Sequence, residues 1–386
     1  MRPLPALSLS LVWKLCSPSP VPLGSALETV ISSPSLPIAI HLIPYDGIGG
    51  VEAAARSLPS GAYPGLRLQK CFLAKQGGSR AQRTGDHVGA HSSENDPRNY
   101  TNALLWLHRL HPQLLIASLW RSYAVLVLHK LLHPHCQVVC FLHCARAVHP
   151  VDRFLSLAAM AVATEIWTDS QSTLMARVPT FMQGKARVIS FMLQRLQPVS
   201  QVLPAPSFVF WGRLAPQKGL DRSLRIIAAL KSSFADVQFL IIGPDRGEQT
   251  NLQQLSDRLC LSNSVTFLGP KSSAEIQGIA HRSSFYLQPS VFEGMAISVV
   301  EAMQLGLVPI VTAVGEMARY CQDGENALLI NPDHPQDTAA RIQSLLDQPN
   351  HYALLRKQAI RTWSDTPIYQ DQLLERCRAL LSASPA

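Results

Sequence analysis

Two glutamates eight residues apart, Glu293 and Glu301, stand in the stretch Pro289-Ser290-Val291-Phe292-Glu293-Gly294-Met295-Ala296-Ile297-Ser298-Val299-Val300-Glu301-Ala302-Met303. The first falls in a loop after an apolar strand, the second about one turn into a helix. Around Met295, the small residues Gly294 and Ala296 let a ligand approach the backbone. A helix starting at Ile297 and Ser298 offers unpaired amides and the positive end of its dipole, which suits a diphosphate. Glu301, on the same side, has the chemistry to accept hydrogen bonds from a ribose diol. Spacing alone is met equally well by two solvated glutamates flanking a buried helix. Upstream, Arg213 and Lys218 follow the apolar strand Phe208–Trp211 and Gly212. Cleaving a sugar–diphosphate bond leaves extra negative charge on the nucleotide, and two fixed cations there would favour the transition state. Lys and Arg are ordinarily exposed, so a plain surface position is the alternative for each.

The elements that must hold these residues can be read from the apolar runs. Pro37–Ile43 lacks alternation, as in a strand covered on both faces. It leads through Tyr45-Asp46-Gly47-Ile48-Gly49-Gly50 into the helix start Val51-Glu52-Ala53-Ala54-Ala55-Arg56. Strand, glycine loop and helix open a doubly wound sheet. Glycine permits close backbone approach and positive φ, but Gly47-Ile48-Gly49-Gly50-Val51-Glu52 ends in Glu where a dinucleotide fingerprint needs glycine. Residues 75–100 are polar and read as a mobile loop. Strands are expected at Leu114–Ala117, Gln137–Leu142 and Ile166–Thr168. After the Pro-containing link Gln197–Ser207 the pattern repeats. Strands Phe208–Trp211, Val237–Ile242, Val265–Leu268, Ser284–Leu287 and Val308–Val311 alternate there with helices, among them Ile297–Leu305. Such alternation in both halves means α/β architecture, two parallel sheets with a ligand cleft between them.

Length and composition agree. At 386 residues, with 47% hydrophobic and 16% charged, the chain has material for two cores and is not disordered. Residues 1–200 carry 18 Lys+Arg against 9 Asp+Glu, and the remainder 16 against 17. The basic half could meet an anionic membrane or a phosphorylated acceptor. Its cations are scattered without a basic run or interleaved aromatics, so nucleic acid is not an expected partner. Eight cysteines without a C-x-x-C read as reduced thiols. His133, His135, Cys136, Cys140, Cys144 and His149 fit no standard zinc spacing, and no metal is expected. Residues 1–36, rich in Ser and Pro, read as a disordered extension, and no window is apolar for 18 residues.

The second half resembles retaining glycosyltransferase family 4, the large GT-B group, whose E-x7-E motif matches Glu293 to Glu301. The resemblance runs over roughly residues 37–385 and is strongest over 208–332. It includes Gly212-Arg213-Leu214 with Lys218-Gly219-Leu220-Asp221, Val265-Thr266-Phe267-Leu268-Gly269, Pro289-Ser290, Glu301-Ala302-Met303 with Gly306, and Asp323-Gly324-Glu325-Asn326-Ala327-Leu328-Leu329. It implies catalytic roles for Arg213, Lys218, Glu293 and His143, the last ending strand Gln137–Leu142 beside the transferred sugar. It implies donor binding by Gly49, Gly50, Gly212, Gly294, Met295, Ala296, Ile297, Ser298 and Glu301. The sequence departs from the family where Val314-Gly315-Glu316 replaces a glycine pair before the acid, and where Met295-Ala296 stands for the frequent Phe-Gly; both bear on the choice of sugar.

The implied domains are an acceptor-side Rossmann-like domain over 37–203, a nucleotide-sugar domain over 204–365, and a C-terminal helix in 366–386 crossing back to the first. The implied reaction retains anomeric configuration through same-face attack, with the leaving phosphate oxygen as base and no protein nucleophile. The absence of any D-x-D triplet fits a metal-independent transfer of a hexose-type sugar from a nucleotide-diphosphate sugar, without a cofactor. A glycan or lipid-linked acceptor of cell-envelope polysaccharide biosynthesis is expected, with the protein cytoplasmic and peripheral at the inner membrane face. A nucleotide-sugar epimerase or a non-catalytic sugar-binding relative on the same scaffold are the alternatives; a dehydrogenase is disfavoured by the failed fingerprint.

Overall fold

The computed structural model describes residues 36–45, 47, 49–75, 86–200 and 204–383. The expected extension over 1–36 lies outside them apart from Leu36, as do Asp46 and Ile48 of the first glycine loop and residues 201–203 of the link.

The first lobe contains β1 (Ile38–Tyr45), α1 (Gly50–Ser57), β2 (Gly61–Tyr63), β3 (Leu66–Ala74), β4 (His87–Val88), α2 (Pro97–Leu110), β5 (Leu114–Ser118) and α3 (Trp120–Leu132). It continues through β6 (Gln137–Leu142), α4 (Pro150–Val162), β7 (Glu165–Thr168), α5 (Gln171–Arg177) and β8 (Ala186–Val188). Among the described residues its sheet runs β2-β3-β1-β5-β6-β7-β8, with β4 beside β3. Every pair is parallel except β2 with β3. All of β5 is buried because helices cover both faces, which is why its sequence does not alternate.

The second lobe contains β9 (Ser207–Trp211), α6 (Leu220–Lys231), β10 (Gln238–Ile242), α7 (Gln249–Arg258), β11 (Val265–Gly269), α8 (Ser273–Ala280) and β12 (Phe285–Gln288). Then follow α9 (Ile297–Leu305), β13 (Val308–Val311), α10 (Met317–Tyr320), β14 (Leu328–Leu329), α11 (Pro335–Leu346), α12 (Pro349–Thr362) and α13 (Tyr369–Ser382). Its parallel sheet runs β11-β10-β9-β12-β13-β14. In both lobes the first strand is central, with the next strands of the chain on one side and later ones on the other. The loops leaving β1 and β9 therefore diverge from their neighbours at the carboxyl edge and leave a crevice. Those loops carry Gly49-Gly50 and Gly212-Arg213.

The final helix packs on the first lobe. Tyr369, Leu373, Cys377 and Leu380 share a buried cluster with Ile116, Phe141 and Trp167. Gln370 Nε2 donates to the Ser57 carbonyl at 2.6 Å, and Arg378 Nε to that of Pro64 at 2.8 Å.

The expectation of a mobile loop over 75–100 is corrected for its described part. Residues 86–96 hold β4, and α2 begins at Pro97. The polar residues here satisfy backbone rather than water: buried Asn99 donates to the carbonyls of His91 and Ser93, each at 3.0 Å, and accepts from His91 N at 3.2 Å. Residues 76–85 lie outside the described residues. Strand β3 escapes the sequence reading because Arg67, Gln69 and Lys70 interrupt its apolar run.

The floor of the crevice depends on one close approach. Gly243, with φ +144°, lies so near β9 that a Cβ there would sit 1.7 Å from the Gly212 carbonyl oxygen. Gly243→Ala is expected to cost about 3 kcal/mol of stability, as strain and overlap add. A urea midpoint equal to that of the parent would show that the two strand ends part freely.

Candidate active site

A cavity of about 640 Å³ opens between the two carboxyl edges. Every site residue read from the sequence lines it: His143, Arg213, Lys218 and Glu293, the glycines Gly49, Gly50, Gly212 and Gly294, and Met295, Ala296, Ile297, Ser298 and Glu301.

Glu293 sits at the centre of the second-lobe wall, its side chain 7% exposed. Its Oε1 accepts from Lys218 Nζ at 2.7 Å, Ser290 Oγ at 2.8 Å and Gln288 Nε2 at 3.0 Å. The turn after β9 delivers Lys218, and Gly219 beside it takes φ +65°, where a Cβ would meet the Pro289 carbonyl at 2.1 Å. Gln288 ends β12, and its Oε1 lies 2.7 Å from the Tyr286 hydroxyl and 3.0 Å from Ser298 Oγ. The Tyr286 hydroxyl also lies 3.0 Å from the Trp211 carbonyl. Trp211 Nε1 in turn donates to Glu301 Oε2 at 2.8 Å. The two motif glutamates are thus joined through alternate residues of β12 and the last residue of β9. Burial raises the Glu301 carboxyl, and the Trp211 hydrogen bond works against it.

The ion pair divides the labour of the two cations. Lys218 is largely neutralised by Glu293, whereas Arg213 lines the cavity and makes no hydrogen bond or ion pair among the described residues. The start of α9 lines the same cavity. Ala296 caps that helix in the left-handed region, φ 53°, without a side-chain hydrogen bond. Val299 N and Val300 N turn back to the Ala296 carbonyl, leaving the Ile297 and Ser298 amides without intrahelical partners. Glycine would hold this position without the Cβ penalty of about 1 kcal/mol.

The first lobe closes the cavity at short range. Neither Gly49 nor Gly50 uses a positive φ; their value is size. A Cβ on Gly50 would lie 3.0 Å from Ile297 Cδ1 across the cleft, and one on Gly294 would lie 3.1 Å from the His143 carbonyl oxygen. Ser118 Oγ stands 2.9 Å from His143 Nε2 and 2.8 Å from His41 Nε2, while His143 Nδ1 is buried without a partner. Burial, with His41 adding to it, holds His143 well below the ordinary imidazole range. Glu316 spans the lobes, its Oε2 accepting from Ser172 N at 2.8 Å. Of the cysteine and histidine cluster, His149 caps α4 by accepting from Asp152 N at 3.2 Å, and Cys136 and Cys140 are buried. The seven described cysteines are free thiols.

Asp169, Ser118, Trp211 and Gly243 went unread in the sequence. Each sits at or just beyond the carboxyl end of a parallel strand, and that position is the signal that could have found them.

Residues 199–362 match the family model described as Glycosyl transferases group 1. The match takes in every second-lobe residue of the cavity, from Trp211 to Glu301. Over 141 residues, 36% of each chain, the protein is 28% identical to the GDP-mannose:cellobiosyl-diphosphopolyprenol alpha-mannosyltransferase of Komagataeibacter xylinus. Over 180 residues, 44% of this chain and 40% of the relative, it is 29% identical to the D-inositol 3-phosphate glycosyltransferase of Rhodococcus opacus (strain B4). The chain thus spans well under half the length of these relatives. Sucrose-phosphate synthase from Thermosynechococcus elongatus superimposes with a TM-score of 0.74 at 18% identity, covering 90% of this chain and 100% of that one. HepE of Anabaena, solved in complex with UDP, gives 0.70 at 18% identity with the same coverage. The fold is that of the GT-B glycosyltransferases, and the group 1 segment forms its second lobe.

Asp169 gives the cavity a distinct pH dependence. Burial, reinforced by Glu316, pushes its carboxyl from the ordinary 3.8 up to about 6. The folded state holds this proton more tightly than the unfolded chain, so stability falls as pH rises from about 4 to about 6. His41, depressed to about 3 by burial and Lys70, acts in the opposite sense: its contribution is complete above the ordinary 6.5 and is lost as pH falls. Asp169→Asn is therefore expected to gain on the order of 3 kcal/mol near pH 7.5, with the gain vanishing near pH 3.5. Urea midpoints at the two pH values read this directly; a gain independent of pH would remove the ionisation of Asp169 as its cause.

Proposed function

We propose that this protein is a retaining, metal-independent glycosyltransferase that moves a hexose-type sugar from a nucleotide-diphosphate sugar to a glycan or lipid-linked acceptor. The observation that carries the reading is that Arg213, unpaired among the described residues, Lys218, Glu301 and the residues whose amides open α9 all line one cavity. A diphosphate set among them meets a positive field that needs no rearrangement as charge develops. These groups supply what a divalent ion would otherwise provide, which is the basis for proposing metal independence. Glu301, with Oε2 held by Trp211, keeps Oε1 for a ribose diol.

In this mechanism the bond from the anomeric carbon to the phosphate oxygen breaks, and the acceptor oxygen bonds that carbon on the same face. The acceptor proton passes to the departing phosphate oxygen, so no side chain is assigned as nucleophile. Neutral His143, fixed by Ser118, is suited to a sugar hydroxyl. The short distances between the lobes help exclude water from the reacting carbon. The Komagataeibacter relative is named for a diphosphopolyprenol-linked acceptor and GDP-mannose, and HepE was solved with UDP; both support a nucleoside-diphosphate donor here, and the first a lipid-linked acceptor. A cytoplasmic role in cell-envelope polysaccharide synthesis follows from that acceptor class.

A thermal-shift screen over uridine, guanosine and adenosine diphosphate sugars is expected to find one stabilising donor. With it, Arg213→Ala is expected to lower kcat by about 100-fold or more while the fold is kept. Glu301→Ala is expected to raise the donor KM. Transfer by both variants at the parent's rate and KM would overturn the reading.

A further inference from the structure

Two helix ends of the first lobe each carry a pair of histidines. His108 stands in the last turn of α2 and His111 caps it; His129 stands in the last turn of α3, with His133 as its cap. Spacings of three and four residues bring the members of each pair to one side of their helix. Because α2 packs on α3, the two pairs meet. The ring centre of His108 lies 5.1 Å from that of His133 and 5.5 Å from that of His111, and the last two are 5.7 Å apart. The ring of His129 lies 4.6 Å from that of His133. His108 Nδ1 and His133 Nε2 are joined by a hydrogen bond of 3.1 Å. His129 is 1% exposed, and its Nε2 is buried without a hydrogen-bond partner.

No carboxylate acts on His129 or His133. Burial and the neighbouring imidazoles hold His129 down to about 4 and His133 below the ordinary range, so both are neutral at pH 7 and each has a nitrogen lone pair to offer. Both helices end here, and the negative ends of their dipoles favour a cation. Imidazoles bound to one tetrahedral ion through nitrogens about 2.0–2.1 Å away have ring centres about 5 Å apart and nitrogens about 3.3 Å apart. The His108–His133 pair is close to both spacings, and His111 closes the triangle. As the side chains stand, no three donors among the described residues converge on one point. His108 and His133 aim at each other across their hydrogen bond, and an ion has to displace it. The ring that donates moves its proton to its other nitrogen, both lone pairs turn to the ion, and no net proton is released. His108 and His111 are exposed, so that turn disturbs no core.

We propose that this corner binds one divalent transition-metal ion of the kind imidazole favours, held by His108, His111 and His133, with the buried His129 nitrogen completing the set. The ion clamps the ends of α2 and α3 just before the chain enters β5 and β6. That places it at the amino edge of the sheet, away from the cavity at the carboxyl edge. The site is therefore independent of the transferase reading and of its metal-free chemistry.

The full chain, carrying no histidine tag and stripped with chelator, is titrated with Zn²⁺ alone in a calorimeter. One ion per chain is expected to bind with a Kd on the order of micromolar or tighter and to raise the melting temperature by several degrees. Co²⁺ in its place is expected to show the visible absorption of tetrahedral nitrogen ligation, a readout that needs no substitution. His108→Gln with His133→Gln is expected to weaken Zn²⁺ binding at least about 100-fold, and His111→Gln about tenfold, with the metal-free melting temperature kept. His135→Gln, outside the cluster, should bind as the parent does. Absence of stoichiometric Zn²⁺ binding, octahedral cobalt absorption in the parent, or equal binding by the double variant would each overturn the proposal. So would binding that is lost on alkylation of the cysteines and kept in the histidine variants.

Discussion

A buried ion pair is expensive to disrupt, because removing one partner strands the other in a poorly solvating medium, at a cost of about 3–5 kcal/mol. The Lys218–Glu293 pair has that character, and the wall of the cavity is arranged around it. Lys218 belongs to the turn after β9, Glu293 to the loop after β12. Closing the pair ties those two strand exits together at a fixed distance. Gln288 and Ser290 saturate the same carboxylate oxygen, so the loop has little freedom left before α9 begins.

That restraint aims the helix. With residues 289–296 anchored at Glu293, the chain enters α9 through the left-handed Ala296, and its first residues, Ile297 and Ser298, line the cavity. The same side-chain network continues through Gln288, Tyr286 and Trp211 to Glu301. A group bound near Arg213 therefore meets a surface already ordered, and little entropy remains to be lost on binding. The first lobe adds small residues, buried His143 and Asp169, and one cation, Arg56, whose Nη1 donates to the Gly47 carbonyl at 2.6 Å.

The basic excess of the first lobe lies elsewhere. Its buried carboxylates are consumed by internal pairs with Arg177 and Arg376, so the outer helices are left with uncompensated arginine and bare apolar side chains. Short helix–strand connections let the cavity wall and this outer face be built on the same sheet.

Much of this was legible in the residues themselves. Apolar runs without alternation, each followed by a helix, dictate parallel sheets covered on both faces, because only that arrangement buries them. The glycines after β1 and β9 and the spacing from Glu293 to Glu301 mark the cavity for the same local reason: backbone must come close and a helix must begin there. Residue type and spacing could not show that Lys218 spends its charge on Glu293 while Arg213 has no partner among the described residues. Nor could they show that Asp169 and Ser118 join the site, or that the polar run before α2 is structured by Asn99. Those outcomes depend on which strand ends become neighbours. Residues 75 to 182 positions apart in the chain, such as Lys218 with Glu293 or Ser190 with Gln372, meet only when both sheets have formed. Burial then sets their charge states, and burial is a property of the packed molecule, not of any segment of it.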